Sequence, residues 1–317
     1  MKPPQSIQIT ALGSYAPQRV VTNDELRTLV DTSDTWIKSH TGIAERHIAG
    51  DEETTSSLAF RAIEDLLEAN NRDASEIDGI VCATATPDYP GFPSVACMVA
   101  EQFGITGPAL DVSAGCTGFI YALEVARAMI TTGAMKNALV IGAEKLSSVL
   151  DWKDRNTCVL FGDGAGCALL EGSDTDTGFL DTLLKSEAAG TKALTIDPVS
   201  HAIQMDGRAV YSFAVRTIGE TIETLVERNQ LSSDEIDWII PHQANQRIIQ
   251  ACSKRYDIPE EKFYMNIDRY ANTSAASIPL ALREMDRKGL LHEGQKILMV
   301  GFGAGLTYGG TLLTWTH

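Results

Sequence analysis

The sequence predicts an α/β fold made of two similar halves, with each sheet covered by helices on both faces. Short, almost continuous apolar runs alternate with amphipathic stretches of helical period, which is the pattern of buried strands between helices. The chain also matches itself at an offset near half of its 317 residues. With 44% apolar and 21% charged residues, the composition is that of a globular protein large enough for a sizeable core.

The apolar runs predict strands and the periodic stretches predict helices. In chain order, strands are expected at residues 80–82, 138–141, 238–240 and 297–300. Helices are expected at residues 56–70, 117–132 and 214–229, where apolar side chains recur on one face.

Three segments recur in the same order in the second half. Residues 75–81 match 234–240, Leu110-Asp111 with its following helix match Ile267-Asp268, and residues 138–143 with 164–171 parallel 297–301 with 309–315. One such match is ordinary local sequence, but three in order predict a duplication, with halves 1–172 and 173–317 and a turn-rich seam at 172–178. Equivalent loops of two such halves would face each other, so a shared site could draw residues from both.

Charge and apolar distribution exclude several classes of function. The 26 Lys and Arg residues against 42 Asp and Glu give a net charge of −16, so neither nucleic acid nor an anionic membrane is an expected partner. No run approaches the roughly 20 apolar residues of a membrane span, and residues 1–30 lack a signal-peptide pattern. Six scattered cysteines without a CxxC motif predict a reduced, cytoplasmic chain, and no Cys/His cluster predicts a metal site.

Cys116 is the candidate nucleophile. A small, glycine-containing run leads through it from a strand into the helix at 117–132. Free amides and the positive end of the helix dipole favour a thiolate at such a place, and Gly118 leaves room for a substrate. For the other five cysteines, simple packing is the expected role.

His242 and Asn272 are further candidates from the second half. His242 follows the strand at 238–240, and the carboxyl ends of such strands commonly bear ligand groups. Asn272 lies in the counterpart of the Cys116 loop. A structural histidine and a helix-capping asparagine are the alternatives at these two positions.

Two glycine-rich runs, at residues 162–166 and 301–305, follow strands and lead into strands. A dinucleotide-binding fingerprint needs a helix next, so that interpretation fails. The second run, which contains Phe302 and Ala304, could supply amides to an oxyanion hole.

Together these motifs resemble the thiolase superfamily and, within it, the β-ketoacyl-[acyl-carrier-protein] synthase III family. The resemblance runs end to end, through residues 31–37, 41–43, 92–94, 114–119, 161–166, 241–245 and 272–277. It implies a duplicated, thiolase-like, five-layered α/β/α/β/α fold and a triad of Cys116, His242 and Asn272. The implied reaction joins a short acyl-CoA, acetyl-CoA first, to malonyl-[acyl-carrier-protein] with loss of CO2, which starts type II fatty-acid synthesis and needs no cofactor.

The resemblance also implies a role for each remaining site residue. Cys116 would be acylated, its own amide and that of Ala304 would hold the oxyanion, and His242 with Asn272 would bind the malonyl thioester oxygen. Substrate contacts would follow: Trp36 and Arg155 around the CoA adenine, Thr32 on the base, Gly207 and Asn245 along the pantetheine, Phe302 in the glycine run, and Phe92 in the acyl pocket of the partner subunit of a homodimer.

Several positions depart from the family pattern. His40 replaces the usual arginine near the nucleotide, Ala271 and Ala304 replace glycines, and Ser212 replaces a basic carrier-protein contact. On one face of the helix after His242, three cations offer a docking surface for the acidic carrier protein: Arg247, Lys254 and Arg255. A solvated charged face is the alternative.

Other functions remain to be weighed against this one. A specialised ketosynthase of secondary metabolism would use another starter or acceptor, a cysteine hydrolase would release free acid, and an acyl-binding protein would do no chemistry. Asn272 disfavours a degradative thiolase, and the lack of an evident catalytic glutamate disfavours a hydroxymethylglutaryl-CoA synthase.

Overall fold

The computed structural model describes residues 4–316, so Met1–Pro3 and His317, at the outer ends of the two predicted halves, lie outside the described residues. The strands are β1 (Ser6–Tyr15), β2 (Val20–Thr22), β3 (Glu45–His47), β4 (Ile80–Ala83), β5 (Ala109–Val112), β6 (Asn137–Glu144), β7 (Gly164–Ser173), β8 (Phe179–Ser186), β9 (Leu194–Ile196), β10 (Ile203–Met205), β11 (Trp238–Pro241), β12 (Lys296–Gly303) and β13 (Thr307–Thr314). The helices are α1 (Asn23–Leu26), α2 (Asp34–Thr41), α3 (Thr55–Asn70), α4 (Val95–Phe103), α5 (Gly118–Thr131), α6 (Arg155–Cys158), α7 (Gly207–Arg228), α8 (Gln246–Tyr256), α9 (Ile267–Tyr270) and α10 (Ser277–Arg287).

Two mixed sheets repeat the same topology. The first has the order β1-β7-β6-β4-β5 and the second β8-β13-β12-β11. In both, a parallel pair (β4 with β6, β11 with β12) continues into two antiparallel pairs. Strand β5 is matched in the second sheet only by a single parallel bridge between Ile239 and Phe263.

The helices and sheets form five layers. Helices α3 and α4 cover the outer face of the first sheet, α5 and α10 lie between the sheets, and α7 and α8 cover the outer face of the second sheet. Buried apolar residues of both halves share the central layer, among them Leu123 and Leu282. The predicted α/β class is therefore confirmed.

The sequence repeat is confirmed in two of its three matches. In both halves a short 3₁₀ helix (Ala74–Glu76, Ser233–Glu235) leads into a parallel strand, and the pairs β6–β7 and β12–β13 correspond. The third match holds for the helices that follow, since a short 3₁₀ turn leads into both α5 and α10. It fails for the pairs themselves, because Leu110-Asp111 lies on β5 whereas Ile267-Asp268 begins α9. An apolar residue followed by an aspartate is compatible with both a strand and the start of a helix. The match between the two sequences is therefore misleading by itself.

All four predicted strands are present, and the helices differ from the prediction mainly at their starts. Helix α7 begins at Gly207, seven residues before the predicted start, because Asp206 caps it by accepting from the amides of Arg208 and Ala209. Its first two turns are mostly exposed, so they carry no apolar period. No helix within residues 4–316 is both long and apolar enough to cross a membrane.

Candidate active site

Cys116 lies in a 3₁₀ turn, Gly115–Thr117, between β5 and α5. Gly115 has a φ of +54°, and a Cβ there would lie 3.0 Å from the backbone nitrogen of Ala304. The glycine is needed because the second-half glycine run passes this close. Thr307 ties the two segments together by donating its hydroxyl to the carbonyl of Ala114 at 2.8 Å.

The Cys116 sulfur is buried, and burial raises its pKa to about 12. Its own amide, the Ala304 amide and the Ser274 hydroxyl favour the thiolate and lower the pKa of Cys116, but burial outweighs them. The helix-start position predicted from the sequence is correct. The amides favour the thiolate as expected, but the cost of burying a charge exceeds that stabilisation.

His242 follows β11 directly and is almost fully buried, at 1% exposed. Its amide donates to the Val300 carbonyl at 2.8 Å, its Nδ1 lies 2.7 Å from the Ser277 hydroxyl, and its ring packs edge-on against Phe302. Burial lowers the pKa of His242 to about 3, so the imidazole is neutral.

Asn272 is held from both sides of its backbone. Its amide donates to the Leu160 carbonyl at 2.9 Å, and its carbonyl accepts from Gly162 at 3.0 Å. The side-chain oxygen accepts from the Ser274 amide at 2.9 Å. The Asn272 amino group is therefore the end that a ligand can reach.

Two cavities meet at the cysteine. One, of about 150 Å³, is lined by Cys116, His242 and Asn272, together with three other predicted contacts: Gly207, Asn245 and Phe302. The other, of about 440 Å³, is lined by Cys116, Ser274 and Ala304 and is mostly apolar. The fold thus brings the three candidates from the two halves to one cavity.

The residues predicted to bind the nucleotide lie together, but their side chains are in contact with one another. The Arg155 guanidinium carbon is 4.9 Å from the centre of the Trp36 ring, and the His40 ring stacks on Trp36 at 4.5 Å. A base between two flat groups needs about 7 Å, twice an ordinary contact distance. The Thr32 hydroxyl, alongside, is buried and has no hydrogen-bond partner within residues 4–316.

Asn245 has a second role besides lining the Cys116 cavity, and the other predicted contacts lie outside that cavity. Asn245 also caps α8 and donates to the His40 carbonyl at 3.1 Å. Phe92 is 91% exposed, so nothing described in this chain covers it. The three α8 cations are exposed, and none pairs with a carboxylate within residues 4–316: Arg247, Lys254 and Arg255. Those same residues hold no cluster of three metal-ligating side chains.

Sequence reasoning missed three polar residues at the site: Glu144, Ser274 and Ser277. Glu144 ends β6 and is fully buried. An acidic residue at the end of an apolar strand was the available signal. For the two serines, which lie in the small-residue run after Asn272, no local pattern distinguishes a site residue from a turn residue.

Comparison with known proteins identifies the family. Residues 110–188 match the family described as 3-oxoacyl-[acyl-carrier-protein (ACP)] synthase III, and residues 226–315 match its C-terminal family. The β-ketoacyl-[acyl-carrier-protein] synthase III of Geobacillus kaustophilus is 47% identical, over 97% of this chain and 98% of that protein. The chain belongs to the β-ketoacyl-[acyl-carrier-protein] synthase III family.

Solved structures agree with this membership of the synthase III family. The 3-oxoacyl-[acyl-carrier-protein] synthase III of Aquifex aeolicus superposes with a TM-score of 0.94 at 44% identity, covering 98% of this chain and all of that one. The priming β-ketosynthase of the R1128 polyketide biosynthetic pathway reaches a TM-score of 0.93 at 32% identity, covering all of this chain and 98% of that one. The five-layered, duplicated fold expected of a synthase III is thus confirmed.

Proposed function

We propose that this chain condenses a short acyl-CoA, acetyl-CoA first, with malonyl-[acyl-carrier-protein], giving a 3-oxoacyl-[acyl-carrier-protein], CO2 and CoA. This is the step that starts type II fatty-acid synthesis. The observation that carries the proposal is the shared cavity of Cys116, His242 and Asn272. Membership of the synthase III family supports it.

The first half-reaction acylates Cys116. Its sulfur attacks the acyl-CoA thioester carbon, the bond from that carbon to the CoA sulfur breaks, and CoA leaves as a thiol. The carbonyl oxygen gains negative charge during the attack. The amides of Cys116 and Ala304, which converge on the sulfur, are placed to bind that oxygen.

The second half-reaction uses His242 and Asn272. When the malonyl group loses CO2, its thioester oxygen gains enolate charge, which two side-chain donors would stabilise. Asn272 offers its amino group. Neutral His242 offers Nε2–H when the Ser277 hydroxyl turns from the Ser274 carbonyl and donates to Nδ1 instead. An asparagine cannot accept a proton, which suits a carbanion formed by decarboxylation. The carbanion attacks the acyl group and frees Cys116.

The acyl donor enters along Asn245 and Gly207, which line the cavity leading to Cys116. Its adenine stacks on Trp36 after Arg155 and His40 move away from the ring, and the unpartnered Thr32 hydroxyl is available to the base. No cofactor enters this scheme, because the loss of CO2 drives the condensation.

The working unit in this proposal is a homodimer. Strand β5 is the edge of the first sheet, and an open edge readily pairs with another chain. The amides of Val95 and Ala96, just after the exposed Phe92, donate to Asp111 on that strand. Phe92 thus lies beside the open edge, where a partner chain would bury it.

The carrier protein docks on the α8 cations, and the reaction takes place in the cytoplasm. Arg247, Lys254 and Arg255 are exposed and complement the acidic carrier. All six cysteines are free thiols, and a reducing compartment keeps Cys116 able to act as a nucleophile.

The proposal is tested by following the fate of a radiolabelled acyl group. The enzyme is incubated with a panel of labelled acyl-CoAs, and malonyl-[acyl-carrier-protein] is then added. Label moving from the protein into 3-oxoacyl-[acyl-carrier-protein], with acetyl-CoA among the best donors, is the expected result. Label released as free acid would establish a hydrolase. Label that never becomes covalently bound to the protein would establish an acyl-binding protein. A preference for another starter or acceptor would favour the specialised ketosynthase, the function of the R1128 relative.

A further inference from the structure

Ser277 is a buried serine whose hydroxyl touches the ring of His242. It begins α10 and is 2% exposed. Its Oγ lies 2.7 Å from Nδ1 of His242 and 2.9 Å from the Ser274 carbonyl oxygen, and it accepts a long hydrogen bond of 3.4 Å from the Gln243 amide. A hydroxyl has a single proton, so Ser277 can donate either to the Ser274 carbonyl or to His242, but not to both.

The direction of this one proton decides which nitrogen of His242 is protonated. Burial lowers the pKa of His242 to about 3, so the ring is neutral and carries one proton. If the hydroxyl donates to the Ser274 carbonyl, Nδ1 carries the ring proton and Nε2 is left as an acceptor. If the hydroxyl donates to Nδ1, the ring proton lies on Nε2. Only the second arrangement provides a donor for the enolate oxygen of the proposed condensation.

The contacts around Ser277 favour donation to His242. The Ser274 carbonyl already accepts from the backbone amide of Ser277, so it keeps a hydrogen bond when the hydroxyl turns away. Within residues 4–316, the Ser277 hydroxyl is the sole hydrogen-bond partner of Nδ1. The separation of 2.7 Å is typical of a hydroxyl donor, whereas an N–H group commonly lies about 2.9–3.0 Å from the oxygen that it binds.

The same contact orients the His242 ring towards the site. The ring packs edge-on against Phe302, with the two ring centres 5.2 Å apart. Because Nδ1 is taken by Ser277, Nε2 is the nitrogen left for the cavity that His242 lines together with Cys116. In the part of the chain that the structure describes, Nε2 makes no hydrogen bond, so it is available to a ligand.

We propose that Ser277 is a positioning residue that donates its hydroxyl proton to Nδ1 of His242 and so keeps the imidazole in its Nε2–H form. This form presents a donor to the malonyl thioester oxygen as that oxygen gains charge. It also leaves no lone pair on Nε2, so His242 cannot take the proton of the Cys116 thiol. Condensation therefore depends on Ser277 and acylation does not. The assignment rests on the proposed function, since it explains why His242 serves only one half-reaction.

The first test is nuclear magnetic resonance of the wild-type protein with nitrogen-15 in its histidine rings. Protonated and unprotonated nitrogens of a neutral imidazole give well-separated signals, and the signals of His242 are those that His242→Gln lacks. At pH 7 the wild type should show a protonated Nε2 and an unprotonated Nδ1. A protonated Nδ1 would mean that the hydroxyl donates to the Ser274 carbonyl, and it would overturn the proposal. This measurement requires no substitution at Ser277.

The second test separates the two half-reactions in Ser277→Ala. Without the hydroxyl, neither form of His242 is selected, so its two nitrogen signals should move towards each other. Condensation with malonyl-[acyl-carrier-protein] should slow by about tenfold, the effect of one neutral hydrogen bond, while CoA release from acetyl-CoA keeps the wild-type rate. Ser277→Thr, which keeps a hydroxyl, should restore the Nε2–H signal. Unchanged His242 signals in Ser277→Ala, or equal losses in both half-reactions, would indicate a merely structural serine and overturn the proposal.

Thr217→Val is the matched control. Thr217 is 0% exposed on α7, and its hydroxyl donates to the Phe213 carbonyl at 2.9 Å. This variant should keep the wild-type signals of His242 and the wild-type ratio of the two rates, and the changes expected of Ser277→Ala, if seen here, would overturn the proposal. A wild type that makes 3-oxoacyl product with a protonated Nδ1 would refute the role of Ser277 and leave the proposed function standing. Absence of acyl transfer in the wild type would refute the proposed function itself.

Discussion

The cysteine and histidine of the site are both neutral at rest, and burial is the cause in each case. It raises the pKa of Cys116 to about 12 and lowers that of His242 to about 3. A neutral imidazole can act as a hydrogen-bond donor to an enolate without bringing a formal charge into the cavity. In the proposed reaction, such a site would bind the charge that develops on the substrate.

The low pKa of His242 predicts a particular pH dependence of stability. The unfolded state binds a proton near pH 6.5 whereas the folded state does not until about pH 3. His242 therefore costs no stability above pH 6.5 and destabilises the folded state increasingly as the pH falls below it. Between pH 7 and pH 5 this one group should reduce the free energy of unfolding by about 2 kcal/mol.

Urea unfolding of the wild type and of His242→Gln, at pH 7 and pH 5, measures this contribution. The wild type should lose about 2 kcal/mol more than the variant over that range. Equal losses in the two proteins would mean that His242 is accessible to protons in the folded state.

At the scale of elements, the site depends on the contact between the Cys116 turn and the end of β12. A Cβ on Gly303 would lie 2.6 Å from the Cys116 nitrogen and 2.9 Å from its Cβ. Gly303→Ala should therefore push the Ala304 amide away from the sulfur. We expect acylation by acyl-CoA to slow by about 100-fold, the cost of losing one oxyanion donor.

A stopped-flow measurement of CoA release tests the Gly303 prediction. Gly50→Ala is the control, since a Cβ there would meet its nearest atom at 3.7 Å, an ordinary contact. An unchanged rate in Gly303→Ala would show that the Ala304 amide does not contribute to the oxyanion site.

The exposed face of α8 gives a second prediction at this scale. Lys254→Glu with Arg255→Glu should raise the KM for malonyl-[acyl-carrier-protein] by about tenfold, since docking of an acidic partner is guided by charge. The effect should shrink at high salt. Lys136→Glu, which reverses an exposed cation just before β6, should leave that KM unchanged. Equal effects of both changes would point to net charge and not to a docking surface.

The sequence predicted the elements and motifs that have local causes. Buried strands, the Cys116 turn and the loops bearing His242 and Asn272 are all visible as short patterns. Contacts between distant segments have no such pattern, which is why Ser277, which contacts His242 from 35 positions away, was missed. The early start of α7 was missed because a capping aspartate, and not an apolar period, determines it.

For the whole molecule, the open edge at β5 and the exposed Phe92 predict a dimer. Phe92→Asp should shift the protein to monomers in sedimentation velocity and reduce acylation, because the partner's acyl pocket would lose one wall. Leu180→Asp is the control, since Leu180 is 41% exposed on β8, an edge strand of the other sheet. A monomeric wild type would refute the dimer.

Mass spectrometry of the acyl-enzyme tests most directly how the two halves share the reaction. After incubation with acetyl-CoA, the wild type and His242→Ala should both carry an acetyl group on the Cys116 peptide, and Cys116→Ala should carry none. Added malonyl-[acyl-carrier-protein] should then discharge only the wild type. An acetyl group on Cys116→Ala, or a His242→Ala enzyme that discharges as fast as the wild type, would contradict the account.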